Sequence, residues 1–158
     1  MIVKTNQENI FNTEAKHIAF AINTEGLNDS GFAGQVSNKY WEELAFCGEH
    51  QLGTVLSKTI GNKTFHGLVC HSLRDNFGDN QREVIKECFD KIPSNGELIA
   101  AVAIGTGLIG QMSGANFRQI LCGIHDSEQQ IELYANYSLE DVLNIYNEEN
   151  SNVKKKTL

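Results

Sequence analysis

Three glycines in six residues stand at Gly105 to Gly110, GTGLIG, between a strongly apolar run and a segment of helical spacing. Glycine lets the main chain approach a bound group closely and turn with positive φ. A row of free N–H groups ahead of a helix start attracts an anion. Thr106 adds a hydroxyl donor. The chemistry this predicts is phosphate binding by the main chain; a tight strand-to-helix turn alone needs fewer glycines. A second loop of the same kind runs from Asn23 to Val36, NTEGLNDSGFAGQV. Gly31 and Gly34 flank Phe32 and Ala33 near its helix start. Asn23 ends the preceding apolar run, as a polar contact or as a turn-forming Asn. Phe32 either covers a sugar or joins the core. Two such loops can grip a diphosphate from both sides.

Gly105 to Gly110 also matches the dinucleotide fingerprint GxGxxG. That fingerprint follows the first strand of a βαβ unit and leads to an acidic strand end. Here the loop lies in the last third of the chain, and the next apolar strand is followed by Ala135-Asn136-Tyr137. A nicotinamide-dinucleotide protein is therefore the weaker reading. A P-loop is excluded, since no GKS or GKT occurs.

His71 follows the apolar run Gly67 to Cys70, at a predicted strand's carboxyl end. A histidine there can act as a general base or donate to a phosphate. A surface loop histidine is the plainer alternative. Asp29 is a candidate to orient water. His17, His50, His66 and His125 have no metal-ligand spacing. Cys47, Cys70, Cys88 and Cys122 sit in apolar stretches without a CxxC pair, as reduced core residues do. The sequence predicts neither a metal nor a cofactor.

The elements that must position these loops alternate along the chain. Ile18 to Ile22 and Leu98 to Ile104 are continuous apolar runs, which suit central strands covered on both faces. Gly67 to Cys70, extended back through Phe65, predicts a third strand. Thr54 to Ile60 and Gln130 to Ala135 predict strands nearer a sheet edge, and Ile2-Val3 begins another. Helical spacing recurs at Val36, Tyr40, Leu44 and Cys47, and at Val84, Ile85, Cys88, Phe89 and Ile92. It recurs again at Phe117, Ile120, Leu121 and Ile124, and at Leu139, Val142, Ile145 and Tyr146. Asn80 with Glu83, Ser113, and Ser138 with Asp141 supply start signals. The pattern predicts an α/β domain, helices on both faces of a mixed, mostly parallel sheet. Ligands in such sheets sit beyond the carboxyl ends of the strands.

The chain of 158 residues suits one domain over 1–147, with 148–158 as a flexible tail. Its net charge of −7 disfavours nucleic-acid partners. No apolar run spans a membrane and no secretory signal opens the chain, so a cytoplasmic location and no membrane partner are expected. The sequence leaves the oligomeric state open.

These residues resemble a macro domain over about Asn9 to Tyr146. AINTEG (Ala21 to Gly26) is similar to the family's VNAAN strand end. GFAGQV (Gly31 to Val36) is similar to its GVDGAI, and AIGTGLIG (Ala103 to Gly110) to its AIGTGIYG. The resemblance implies a three-layer α/β/α sandwich that binds ADP-ribose or a derivative as a small-molecule partner. The diphosphate would lie between Gly31, Phe32, Ala33, Gly34 and Val36 on one side and Ala103, Gly105, Thr106, Gly107, Leu108, Ile109 and Gly110 on the other. The family's adenine-contacting segment falls on Asn9 and Ile10, and its adenine-stacking aromatic on Tyr137 or Tyr134. The family's catalytic Asn and Asp fall on Gly26 and Ala33, and its distal-ribose aromatic on Ile109. The implied function is binding without turnover. The alternative is a hydrolase or phosphatase acting on a derivative such as ADP-ribose-1-phosphate, with His71 as the catalytic candidate.

Overall fold

A computed structural model describes residues 1–74, 80–102 and 115–157. Ala103, Gly105, Thr106, Gly107, Leu108, Ile109 and Gly110 lie outside the described residues, as do Asp75 and Ser113. Six strands are described: β1 Ile2–Asn6, β2 His17–Asn23, β3 Val55–Ile60, β4 Lys63–His71, β5 Ile99–Val102 and β6 Ile131–Tyr134. The helices are α1 Gly31–Lys39, α2 Gln81–Asp90, α3 Ala115–Asp126 and α4 Leu139–Thr157. Short 3-10 turns form at Ile10–Asn12 and Glu42–Ala45. The strands make one sheet in the order β1-β6-β5-β2-β4-β3. Every pairing is parallel except β3 with β4.

Alternation along the strands divides the core in two. Ala19, Leu68, Cys70, Ile99, Ala101 and Leu133 pack beneath α2, α3 and α4. Ile18, Phe20, Ile22, Phe65, Val69 and Ala100 pack against α1 and the two 3-10 turns. The apolar run of β2 is therefore buried on both faces, as its composition requires. Such burial contributes about 1.5–3 kcal/mol for each large side chain.

One local expectation is corrected. The spacing Val36, Tyr40, Leu44, Cys47 does not make one helix. α1 begins at Gly31 and ends at Lys39; Leu44 falls in the second 3-10 turn and Cys47 beyond it. Tertiary hydrogen bonds compete with the helix here: the Asn28 Nδ2 donates to the Leu44 carbonyl at 3.1 Å, and the Asn28 N–H to the Ala45 carbonyl at 2.8 Å. β6 lies one strand in from the edge, which β1 forms. α4 runs through Glu148 to Thr157. There Glu148 and Glu149 hold the Arg118 guanidinium at 2.5 and 2.6 Å.

The start of α4 matches its sequence signal. The Ser138 N–H donates to the Asp141 carboxylate at 3.0 Å, and the Asp141 N–H to the Ser138 hydroxyl at 3.1 Å. Asn80 caps α2 with its carbonyl, which accepts from Val84 at 3.0 Å; its side chain makes no cap bond. Among the described residues, no helix is long and apolar enough to cross a membrane.

Parallel strands bring their carboxyl ends to one side. Asn6, Tyr134, Val102, Asn23 and His71 end β1, β6, β5, β2 and β4 along that side. The two predicted phosphate loops leave adjacent strands, β2 and β5.

Candidate functional site

A cleft of about 400 Å³ opens at the carboxyl ends of β1, β6 and β5. It is lined by residues 6–11, Phe32 and Gln35 of α1, Val102, and residues 134–137. Its size suits a small organic ligand. Of the predicted contacts, the structure brings Asn9, Ile10, Phe32 and Tyr137 together here from three separate segments.

Each is held by its neighbours. Asn9 caps the first 3-10 turn: its side-chain oxygen accepts the Phe11 N–H at 3.0 Å. The second lone pair of that oxygen is left for a further donor. Ile10 is buried in the core beneath the turn. Phe32 stacks on Phe11 with centroids 5.1 Å apart and planes 16° apart, and also meets Phe20 at 5.6 Å. It serves core and cleft at once. Tyr137 stands edge-on to Phe117 at 5.6 Å. Its hydroxyl is buried with no hydrogen-bond partner among the described residues, and burial pushes the phenol up. Tyr134 lines the cleft as well, its hydroxyl 3.5 Å from the Asn6 amide nitrogen.

Ala33 and Val36 are not brought to the cleft. They lie on the sheet side of α1, 8% and 0% exposed, where helical phase places them in the core. Asp29 lines a different hollow, beside Ser30, Gly34 and Asn38.

The loop after β2 is braced from within. The Asn23 amide nitrogen donates to the Leu27 carbonyl at 2.7 Å, and the Leu27 N–H donates to the Asn23 side-chain oxygen at 3.0 Å. Asn23 thus does the work of a turn-forming Asn. Its own N–H donates to the Asn28 side chain at 3.2 Å. The loop is also zipped to the segment after the second 3-10 turn. Cys47 N–H donates to the Gly26 carbonyl at 3.0 Å, and His50 N–H to the Thr24 carbonyl at 2.9 Å. Leu27 forms an antiparallel bridge with Phe46.

Gly26 turns with φ +72°, and a Cβ there would lie 2.0 Å from the Gly48 carbonyl oxygen. No side chain fits at that position. Gly31 opens α1 with φ +63°, and among the described residues nothing lies within 4 Å of a Cβ built there, whereas a Cβ on Gly34 would lie 2.8 Å from the Asp29 carbonyl. Gly34, inside α1, is therefore a packing residue.

His71 lies opposite Asn23 in the β2–β4 register, and its carbonyl accepts the Thr24 N–H at 3.0 Å. Burial lowers its imidazole, and the Glu25 carboxylate acts the other way. Glu25 accepts from the Leu73 N–H at 3.0 Å, the Thr24 hydroxyl at 2.9 Å and the Ser72 hydroxyl at 3.0 Å. These bonds, the Leu73 N–H first, hold its carboxyl down to about 2. His71 and Glu25 stand at the strand ends without lining the 400 Å³ cleft.

Sequence reasoning missed Asn28, Phe11 and the 46–50 segment. Asn28 stands in an NDSG run, a general loop signal that does not reveal a buried brace. The Gly26–Gly48 contact joins positions with no local pattern in common.

Neither a protein-family model nor a curated relative matches the sequence. Solved structures do. The macrodomain of Thermus aquaticus DarG is 16% identical with a TM-score of 0.64, covering 85% of this chain and 97% of that one. A macrodomain protein from Streptomyces coelicolor is 13% identical with a TM-score of 0.66, covering 87% and 100%. Thermosipho africanus DarTG, in complex with ADP-ribose, is 15% identical with a TM-score of 0.59 over 86% of this chain. The chain spans 41% of that protein and 24% of a similar alphavirus chain. Sheet order, the asymmetric helix layers and these likenesses agree: the chain has the macrodomain fold.

Proposed function

We propose that the chain binds ADP-ribose or a close derivative and does not turn it over. The adenosine end occupies the cleft between Asn9, Phe32 and Tyr137, and the diphosphate extends toward the loop Gly105 to Gly110. The observation that carries this reading is the cleft itself, at the strand carboxyl ends where α/β sheets hold ligands. The Thermosipho neighbour was solved with ADP-ribose and a Trypanosoma brucei macrodomain with ADP, which supports the ligand class. The absence of turnover is supported by Gly26, whose packing against Gly48 leaves no room for a side chain to position the distal ribose.

The test is a thermal-shift panel with ADP-ribose, its 1-phosphate, ADP, AMP and NAD. A ligand that binds only the folded chain at a hundred times its Kd stabilises it by about 2.7 kcal/mol. ADP-ribose should raise the melting temperature most, and no product should form. A flat response to every nucleotide refutes the binding reading. Release of phosphate from the 1-phosphate, abolished in His71→Ala, refutes the absence of turnover.

A further inference from the structure

Away from the cleft, four side chains form a row that the nucleotide reading does not use. Ser57 on β3 stands opposite His66 on β4 in the antiparallel register. The Ser57 hydroxyl lies 2.6 Å from His66 Nδ1. His66 Nε2 lies 2.9 Å from Nδ1 of His17, which opens β2 at the end opposite Asn23. His17 Nε2 lies 4.0 Å from Glu97 Oε1, and Glu97 pairs with Lys16 at 3.4 Å. Ser57 is exposed, His66 is 0% exposed and His17 8%.

The proton positions follow from this row. Burial, with His17 adding to it, pushes His66 down to about 4, so its ring is neutral at pH 7 and carries one proton. His17 is lowered by burial too. Two tautomer chains are then available. In one, both Nε2 atoms are protonated: His17 points its N–H at the Glu97 carboxylate, His66 donates to His17, and His66 Nδ1 is left to accept from Ser57. In the other, His17 turns a bare lone pair toward the carboxylate. Electrostatics favours the first. The carboxylate at one end thus sets a proton acceptor against the serine at the other.

We propose that Ser57 is an activated nucleophile toward activated esters, with His66 as its general base and His17 as the positioning residue. The arrangement has the nucleophile–base–orienter form that activates hydroxyl groups. Ser57 Oγ attacks the ester carbonyl carbon. The Oγ–C bond forms, and the bond to the leaving oxygen breaks with its electron pair. The serine proton passes to His66 Nδ1 and from there to the leaving oxygen. Water repeats the step on the acyl-serine and restores the hydroxyl. The site lies at the amino end of β2, so it operates independently of a nucleotide at the carboxyl ends.

The test uses a fluorophosphonate probe on the full chain, with the modified residue mapped by mass spectrometry, and hydrolysis of p-nitrophenyl acetate. In the probe reaction the Oγ–P bond forms and fluoride leaves. The expected result is one label on Ser57, none in Ser57→Ala, and no effect of added ADP-ribose. His17→Leu removes the acceptor that fixes the His66 tautomer, and labelling should slow on the order of a hundredfold. His17→Asn, whose amide oxygen can accept at the same place, should recover most of the rate. Wild-type chain that takes no label, or takes it elsewhere, overturns the proposal. So does a folded His17→Leu that labels at the wild-type rate. Ser57→Ala, at an exposed position, remains folded and serves as the control whatever the histidine variants do.

Discussion

Gly26→Ala isolates the contact between the loop after β2 and the 46–50 segment. The residue has φ +72°, which costs a residue with a Cβ about 1 kcal/mol. The added Cβ would also lie 2.0 Å from the Gly48 oxygen and 2.7 Å from the Gly48 carbon and nitrogen. Those are main-chain atoms, so the 46–50 segment must move. Movement breaks the Cys47 N–H to Gly26 and His50 N–H to Thr24 bonds, each contributing about 1 kcal/mol. The sum is about 3 kcal/mol. In a domain of this size, 1 kcal/mol shifts Tm by about 2–4 °C. Gly26→Ala should therefore melt about 6–12 °C below wild type. Gly31→Ala is the matched control: φ is +63° but, among the described residues, nothing lies within 4 Å of its Cβ, so the backbone strain remains without that clash. Its loss should stay near 2–4 °C. Differential scanning fluorimetry reads both. If the two variants melt together, the clash with Gly48 is not real and the reasoning fails. Gly26→Asn sharpens the point. Asn tolerates left-handed backbone better than Ala, yet it meets the same oxygen, so it should be destabilised and gain no hydrolysis.

The remaining predictions concern charge and the cleft. Arg82 grips Asp126 at 2.7 and 3.0 Å, and Tyr146 also donates to that carboxylate, tying α2, α3 and α4 together. Asp126→Asn should lower stability by about 2–3 kcal/mol in urea unfolding, since it leaves a largely buried guanidinium with only neutral acceptors such as Asn150. Glu25 binds protons less readily folded than unfolded, so its contribution is present above pH 4.5 and lost as pH falls toward about 2. Glu25→Gln should flatten stability against pH in that window, and an unchanged acid limb would count against the Glu25 brace. Tyr137→Phe removes a buried hydroxyl with no described partner, so stability should hold or rise. Isothermal titration should find ADP-ribose affinity retained in Tyr137→Phe and weakened about tenfold in Tyr137→Ala, as loss of one aromatic stack implies.

The elements whose signal is carried by their own residues were legible. β2, β4, β5, α2 and α3 follow from apolar runs and helical spacing, and the Ser138–Asp141 box marks α4. What failed was non-local. The periodic Tyr40, Leu44 and Cys47 read as a helix until Asn28 takes the Leu44 and Ala45 carbonyls. Within the site, Phe32 was legible from its place between two loop glycines, and Asn9, Ile10 and Tyr137 through resemblance to known motifs. Phe11 and Gln35 were not, because only the fold brings them to the cleft. From Gly31 onward, α1 turns the Val36 side chain inward, a phase that the loop reading of the sequence did not reveal.

The braced loop after β2 bears on how a ligand would be met. Asn23 and Asn28 complete their bonds during folding, so residues 24–28 surrender their conformational freedom then. Ordering backbone otherwise costs about 1–2 kcal/mol for each residue fixed. On this side of the crevice that entropy has left the binding equilibrium altogether, and a ligand arriving there meets a surface already in its final shape.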